Sequence, residues 1–346
     1  MKICAIGFCV LIALGLTACG GGDSPPPDPA PSEPPSGLEP TQQPTGLTTA
    51  ASACDDGEAG DFACDSIALL SRISLDTMDG ASGNDVWGWV DPVTDREYAL
   101  MGMDNGTAFV DVTEPEDPVF LGRLPTQTRS SAWRDIKVYK DHSYIVADGA
   151  GAHGMQIFDL TRLRDQVAAQ EFLADHVYVE FGNAHNLAIN EDSGFAFAVG
   201  SNTCAGGLHM IDLRIPINPM FMGCHTVGHT HDTQCVVYDG PDSRYQSKEI
   251  CFSSNYGEFD IVDVSSKSSP IVLSSSTYDD LGIVHQGWLT EDHRFFLLGD
   301  EFDESTYGVN TRTHVFDVSD LEAPLYVYAY EHDTKATDHN LYVLGN

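Results

Sequence analysis

A short histidine-containing unit occurs four times in the second half of the chain. In each copy a histidine precedes a polar residue and a short, mostly apolar run, and successive histidines are separated by 46, 54 and 54 residues. A fixed period near 50 residues indicates a repeat architecture, in which each period is one structural unit. The copies are His185-Asn186-Leu187, His231-Asp232-Thr233, His285-Gln286-Gly287 and His339-Asn340-Leu341, with Arg134-Asp135-Ile136 lying 51 residues upstream of the first.

Repetition in phase places one polar side chain at the same point of every unit, so in a closed ring these groups would converge on one axial site. Imidazole and carboxylate groups that converge in a polar funnel suit zinc, manganese or iron. The predicted axial ligands are Asp135, His185, His231, His285 and His339, supported by Asn186, Asp232, Gln286 and Asn340, and Asp85 is the counterpart in the first unit.

Two other interpretations of the same residues stay open. The groups could cap the mouth of a channel by hydrogen bonding to neighbouring units and satisfying unpaired backbone groups. They could also line a pocket for a ligand without metal. The chain contains no nucleophile elbow, zinc-protease helix motif, P-loop or dinucleotide fingerprint that would identify a reaction.

A second recurring element lies between the histidines and has the form Phe-Val-Asp-Val. Its aspartates are 48, 53, 51 and 54 residues apart, and in four of the five copies a proline follows nearby. We expect each carboxylate to accept backbone N–H groups of the following turn. These aspartates are Asp111, Asp159, Asp212, Asp263 and Asp317.

Each period contains about four short runs rich in Val, Ile, Phe and Tyr, separated by Gly, Asp, Asn and Pro turns. Four antiparallel strands per unit of this length are typical of a β-propeller blade. The sequence therefore predicts an all-β protein, a propeller with about five complete four-stranded blades and a partial one. A short helix is expected only within residues 160–172.

The strand motif resembles the LVIVD repeat, and the longer pattern resembles the choice-of-anchor B family of surface proteins. The resemblance covers the chain from Cys54 to the last residue and implies a propeller with no assigned reaction. The segments that carry it are Cys54 with Cys64 and residues 133–137, 184–186, 231–235, 285–292 and 338–342.

The family pattern also leads us to expect a chain that continues beyond Asn346. Residues 338–346 resemble the first strand of a further blade, and residues 66–75 resemble a lone outer strand. An open ring would leave strand edges unpaired, which natural proteins avoid. A natural ring of six or seven blades is expected.

The N-terminus predicts export and lipidation. Lys2, an apolar run over residues 3–16 and the box Leu16-Thr17-Ala18-Cys19 form a lipoprotein signal in residues 1–18, too short for a membrane span. Acylated Cys19 would hold the protein in a bacterial cell envelope, at the outer membrane or cell surface. Residues 19–53 form a linker with nine of the eighteen prolines, and residues 54–346 form the propeller.

The net charge of −35, from 52 acidic and 17 basic residues, argues against nucleic acid as a partner. We interpret this charge as an adaptation for solubility in a salty medium. The alternative is that some acidic loops bind calcium, although the loop at residues 300–304 lacks the ligand spacing of an EF-hand.

Six cysteines lie beyond the signal and its lipidation site, an even number that favours disulfides in an exported chain. The strand pattern favours one pairing, because two pairs flank predicted strand pairs and one closes a small loop. The pairs are Cys54 with Cys64, Cys204 with Cys224, and Cys235 with Cys251.

Taken together, these features predict a lipid-anchored envelope propeller that acts as a binding or scaffolding module for a surface protein or polysaccharide. One alternative is a metal-dependent hydrolase or lyase that uses the axial histidines, which rests on fold analogy. The other is a structural adhesion protein without an axial ligand.

Overall fold

A computed structural model describes residues 51–345. The described chain begins with a hairpin of β1 (Glu58–Ala59) and β2 (Phe62–Ala63), followed by five sheets in chain order. Blade 1 comprises β3 (Gly83–Val90), β4 (Glu97–Met103), β5 (Gly106–Asp111) and β6 (Val119–Pro125). Blade 2 comprises β7 (Arg134–Tyr139), β8 (His142–Ala147), β9 (Met155–Asp159) and β11 (His176–Tyr178), while β10 (Gln170–Glu171) joins blade 1 by parallel pairing with β6.

The next three sheets each consist of four consecutive antiparallel strands. Blade 3 comprises β12 (Asn186–Asn190), β13 (Phe195–Val199), β14 (His209–Asp212) and β15 (Met220–Cys224). Blade 4 comprises β16 (Thr230–Val237), β17 (Glu249–Asn255), β18 (Glu258–Asp263) and β19 (Ile271–Ser276). Blade 5 comprises β20 (Val284–Leu289), β21 (Phe295–Asp300), β22 (Arg312–Asp317) and β23 (Leu325–Glu331). The predicted all-β propeller of four-stranded blades is confirmed.

Helical structure among the described residues is confined to short segments. One α-helix, α1 (Asp303–Tyr307), follows β21, and single 3₁₀ turns cover Leu75–Met78, Leu160–Leu163 and Cys204–Gly206. The helix expected within residues 160–172 is thus only one turn long. Its continuation is prevented because residues 170–171 pair with β6 of the preceding blade instead.

Two expected strands at the ends of the propeller do not form. Residues 66–75 make one isolated bridge, between Ser52 and Leu69, and then enter a 3₁₀ turn. Residues 338–345 have no regular secondary structure. They nevertheless lie along β20, because the Leu341 N–H donates to Gln286 and the Tyr342 ring packs at 5.0 Å from that of Trp288.

The core is divided into layers that lie between neighbouring blades. Phe109 of blade 1 stacks on Phe158 of blade 2 at 4.7 Å, and Phe259 of blade 4 stacks on Phe296 of blade 5 at 4.5 Å. Both faces of each inner blade are therefore buried, which explains why the strands are nearly continuous apolar runs. The first strands contact one another in sequence, β3 with β7, β7 with β12, β12 with β16, and β16 with β20. They form the innermost layer.

The recurring aspartates all end or directly follow the third strand of a blade and have the same local contact. In every blade the carboxylate Oδ1 accepts the N–H of the residue two positions later, at 2.9 to 3.0 Å. This contact fixes the turn that leaves the strand. The five pairs are Asp111 with Thr113, Asp159 with Thr161, Asp212 with Arg214, Asp263 with Ser265 and Asp317 with Ser319.

The three predicted disulfides are present. Cys235 and Cys251 are directly cross-strand partners on β16 and β17, while Cys204 joins the loop before β14 to Cys224 at the end of β15. Cys54 and Cys64 close the small N-terminal hairpin. Three disulfides in this part of the chain indicate an oxidising environment.

Candidate functional site

His231 and His285 occupy β-bulges at the start of their innermost strands. In β16 the register shifts between Thr230 and Asp232, and in β20 it shifts between Val284 and Gln286, so the intervening histidine has no partner in its own sheet. A bulge redirects the side chain of the extra residue and interrupts the ladder. The bulges therefore direct these two imidazoles away from the normal alternation of the strand.

The four repeated histidines form a continuous column. The ring centroids of His185 and His231 lie 4.4 Å apart, those of His231 and His285 lie 4.3 Å apart, and those of His285 and His339 lie 4.2 Å apart. His231 and His285 are buried, at 5% and 2% exposure, whereas His185 is half-buried and His339 is exposed. The repeat thus places one imidazole from each of four successive units side by side.

Hydrogen bonds orient the column and satisfy the backbone that the bulges leave unpaired. His231 Nδ1 donates to the carbonyl of His285 at 3.2 Å, and His285 Nδ1 donates to the carbonyl of His339 at 2.7 Å. The Asn186 amide donates to the carbonyl of His231 at 2.9 Å. Because Nδ1 carries the proton in this arrangement, Nε2 of His231 and His285 is left as the unprotonated nitrogen.

Burial keeps these imidazoles neutral. It lowers the pKa of His285 to about 3 and the pKa of His231 well below its usual range, with neighbouring histidines adding to both shifts. A neutral imidazole is the form that binds a metal.

One carboxylate approaches the two buried histidines. Glu301 directly follows β21, and its Oε2 lies 3.8 Å from His285 Nε2. One ligand atom each from His231, His285 and Glu301 lies within 4.8 Å of the others. Glu301 was not predicted from the sequence, because it comes from the second strand of blade 5 and lies outside the repeated unit.

Asp135 was predicted to join the histidines, and the structure shows its side chain in other contacts. Asp135 follows Arg134 as Asn186 follows His185, so Arg134 is the residue in phase with the histidines. Arg134 is buried and donates to the carbonyl of Met103 at 2.9 Å. The Asp135 side chain instead accepts a backbone N–H from the next blade.

That contact belongs to a recurring inter-blade clasp. A side-chain oxygen on one innermost strand accepts the backbone N–H of a residue on the next innermost strand or, for the last pair, in the segment after blade 5. It is a capping contact of the kind left open as an alternative for the repeated polar residues, and it also includes Gln234. The pairs are Asp85 with Ile136, Asp135 with Leu187, Gln234 with Leu289 and Gln286 with Leu341, at 2.7, 2.5, 2.8 and 2.9 Å.

A cavity of about 300 Å³ lies among the innermost strands of all five blades. Its aromatic wall consists of Trp87, Trp288 and Tyr342, with the Tyr342 ring 6.0 Å from that of Trp87. Lys137 also lines it, and its ammonium lies 4.6 Å from the centre of the Trp87 ring and is paired with Asp135. Three further carboxylates complete the charged lining, those of Glu191, Asp192 and Asp232.

The supporting residues have separate positions. Asp232 lines the cavity, and burial raises its pKa to about 7. Gln286 lines the cavity and accepts the N–H of Leu341, while the Asn186 amide donates to the carbonyl of His231. Asn340 is exposed.

The acidic loop at residues 300–304 uses most of its carboxylates on protein donors rather than presenting them to calcium. Asp300 accepts the N–H groups of Gly282 and Ile283 on one side and of Phe302 and Asp303 on the other, at 2.7 to 3.1 Å. Asp303 is paired with Arg312 at 2.6 Å. Glu301 is the member of this loop that faces the histidines.

No protein-family model and no curated protein matches the chain. Solved structures do match. A candidate 6-phosphogluconolactonase from Bacteroides uniformis is 12% identical, with a TM-score of 0.50 over 70% of this chain and 71% of its own. A protein from Lactobacillus plantarum is 14% identical, with a TM-score of 0.47 over 71% of this chain and 66% of its own. The β-propeller domain of Cps50 (Swd1) from Myceliophteria thermophila is 12% identical, with a TM-score of 0.42 over 70% and 68%.

At these identities the first match supports the propeller fold alone. The chain is therefore a disulfide-containing β-propeller, and its activity has to be argued from its own site. Within residues 51–345, no helix has the length and apolarity needed to cross a membrane.

The clasp is tested by replacing Gln234 with methionine, which keeps the volume and removes the acceptor. Because the Leu289 N–H would lose its partner in a buried position, we expect the free energy of unfolding to fall by about 1–3 kcal/mol. Urea unfolding measures this loss. Gln246→Met, the same change at an exposed loop position, should stay within about 0.5 kcal/mol. Equal effects of the two changes would show that the clasp does not stabilise the ring.

Glu304 generates a pH-dependent prediction. Burial, with a contribution from the charge of Asp303, raises the pKa of Glu304 from 4.5 to about 7. The folded state therefore holds this proton more tightly than the unfolded state, and stability falls as pH rises between these two values. Glu304→Gln cannot ionise, so its Tm relative to wild type should increase by about 2–4 °C from about pH 5 to about pH 8.

Calorimetry across that range measures the effect. The exposed Glu331 on β23 supplies the control, since Glu331→Gln should leave the difference in Tm constant with pH. A constant difference for Glu304→Gln as well would contradict the raised pKa.

Proposed function

We propose that the protein is a binding module and that its ligand is a small organic cation held in the axial cavity. The observation that carries this proposal is the lining of the cavity, in which three aromatic rings and three carboxylates surround a space of about 300 Å³. Small-ligand sites are concave, largely apolar pockets with a few convergent polar groups. The innermost strand of every blade contributes residues to the lining of this cavity.

The charges favour a cation over an anion. Lys137 is the one basic side chain of the lining, and its ammonium is already paired with Asp135. An anionic ligand would meet Glu191, Asp192 and Asp232 without a free positive partner. The net charge of −35 also raises the local concentration of cations at a cleft.

The aromatic wall favours an organic cation over a hydrated ion. The Lys137 ammonium lies 4.6 Å from the centre of the Trp87 ring, which is within the range for a cation–π interaction. Trp288 and Tyr342 extend the same wall with their rings 5.0 Å apart. A ligand with an ammonium group and apolar substituents would use both the ring faces and the carboxylates.

Binding is favoured over catalysis by a serine-, cysteine- or threonine-type nucleophile, because no such group in the lining is activated. The lining contains no serine, and its cysteine, Cys235, is held in a disulfide with Cys251. The hydroxyl of Thr233, the remaining candidate, is bonded to the carbonyl of Phe252 at 3.1 Å.

The proposal is tested with choline and its uncharged isostere 3,3-dimethylbutan-1-ol, using the fluorescence of Trp87 and Trp288. A cation–π contribution of about 1–2 kcal/mol predicts that choline binds about 5–30-fold more tightly than the neutral compound. Trp288→Leu should remove most of this preference. Trp133→Leu, at a tryptophan outside the cavity lining, should leave it intact. Equal binding of the two compounds to wild type, or no binding of either, would rule out a cation site.

We also propose that the chain is a lipoprotein of the bacterial cell envelope and a member of the LVIVD-repeat, choice-of-anchor B family. The box that ends at Cys19 and the Pro-rich linker support this proposal; both lie outside the described residues, in residues 1–50. The three disulfides of the propeller are consistent with an exported protein. In this setting the propeller would be held at a membrane surface with its cavity open to the medium. Besides the small cation, a surface protein or polysaccharide is a candidate partner there.

The anchor is tested by growing cells that express the full chain with a clickable fatty acid. Cys19→Ser should abolish labelling and move the protein out of the membrane fraction, because acylation at Cys19 is the proposed attachment. Cys9→Ser, at the other cysteine near the lipobox, should leave both unchanged. Labelling of the Cys19→Ser chain would contradict the proposal.

A further inference from the structure

The innermost strands carry a second set of ligating groups, separate from the cavity lining. It consists of two buried imidazoles on neighbouring innermost strands and one carboxylate. Neither His231, His285 nor Glu301 lines the cavity. We propose that these three side chains bind one divalent transition-metal ion, for which zinc is the best match.

The spacing of the ligand atoms is close to that of a metal site. The three atoms lie within 4.8 Å of one another, and His285 Nε2 is 3.8 Å from Glu301 Oε2. Metal–ligand bonds of about 2.0–2.1 Å at tetrahedral angles place neighbouring ligand atoms about 3.3 Å apart. This pair is therefore about half an ångström from that spacing, and the bound of 4.8 Å on the whole set exceeds it by about 1.5 Å, which the side chains would have to close on binding the ion.

Both imidazoles are held in the orientation and tautomer that metal binding requires. Each donates Nδ1–H to a backbone carbonyl of the next repeat, which leaves Nε2 as the unprotonated nitrogen with its lone pair available. A carbonyl acceptor on the distal nitrogen is the usual second partner of a metal-bound histidine. The bulges at both positions are the structural features that re-aim these rings.

Glu301 is fixed by the backbone on both sides. Its own N–H donates to the carbonyl of Ile283 at 3.1 Å. The carboxylate of the preceding Asp300 accepts the N–H groups of Ile283, at 2.9 Å, and of Phe302, at 3.1 Å. The loop is therefore tied to the segment that leads into β20, and the Glu301 carboxylate is carried to the neighbourhood of His285.

The donor set selects the class of ion. Two imidazole nitrogens and one carboxylate are typical of zinc and of other first-row transition metals, whereas calcium and magnesium prefer oxygen ligands throughout. Three protein ligands leave a fourth position, as in zinc sites that bind water or a substrate. The rings of His185 and His339 flank the pair at 4.4 and 4.2 Å and extend the supply of nitrogen ligands on either side.

The test is a metal titration of the full chain in the absence of any organic cation, so that its result is independent of the cavity. After removal of metal with a chelator, zinc is added back in competition with a chromophoric chelator, and Co²⁺ is used to follow the coordination spectrum. We expect one ion per chain. Loss of a partner that only supports a ligand costs about 10–100-fold in metal affinity. Loss of a ligand in His285→Ala or Glu301→Gln should therefore weaken binding at least 100-fold.

His176→Ala removes an exposed histidine of β11 outside the column, and it should bind zinc as wild type does. Glu301→Gln retains the shape of the side chain, so its zinc affinity tests the proposal even if His285→Ala fails to fold. Zinc should also raise the Tm of wild type and of His176→Ala but not that of Glu301→Gln. Wild type without stoichiometric binding, or Glu301→Gln with wild-type affinity, would overturn the proposal.

Discussion

The innermost strand of each blade has one edge that its own sheet cannot pair, and this edge is buried against the neighbouring blades. A buried N–H or C=O group without a partner costs about 1–3 kcal/mol, so a ring of such strands requires an external partner for each edge. The chain supplies such partners from side chains of the preceding blade. Asp85, Asp135, Gln234 and Gln286 accept the exposed N–H groups, while Asn186, His231 and His285 donate to the exposed carbonyls.

This requirement also explains the chemistry available at the axis. A histidine that donates Nδ1–H to the next carbonyl is a structural cap, but the same bond leaves Nε2 unprotonated. The lowered pKa of His231 and His285 follows from the same burial that makes the cap necessary. Capping and metal binding are therefore compatible uses of one side chain, because they use different nitrogens. The repeated histidines that satisfy the unpaired backbone groups therefore also bring potential metal ligands side by side, and no additional structural element is needed.

The sequence was sufficient to predict the blades, the turn aspartates and the three disulfides, because each depends on a local pattern that recurs with the period. It was also sufficient to bring the four histidines together. It was not sufficient to place Asp135, because the histidine position in that blade is occupied by Arg134, and an alignment on polar residues shifts the phase by one. A shift of one residue on a strand changes which face the side chain occupies.

Other residues escaped prediction because nothing local marks them. Glu301 lies in an acidic run whose other members, such as Asp300, serve the backbone, and only the fold distinguishes it. Gln234 accepts the N–H of Leu289 from a position two residues farther along its strand than Asp135 and Gln286 occupy in theirs. It follows a bulge that the sequence does not predict. The axial cavity combines residues from five blades and the segment after them, so it depends on how the blades are arranged and on no single motif.

The two proposed cation positions are electrostatically consistent with each other. The neutral imidazoles of the buried His231 and His285 would add no positive charge, so they would not repel a cation that approaches the cavity. Asp232 and Gln286, which directly follow the two buried histidines, line that cavity, so the two sites share their supporting strands. A metal at His231 and His285 would place positive charge beside Asp232 and stabilise its carboxylate form, since a nearby cation favours the ionised state. An organic cation would then meet an ionised carboxylate whose attraction is partly offset by the charge of the metal.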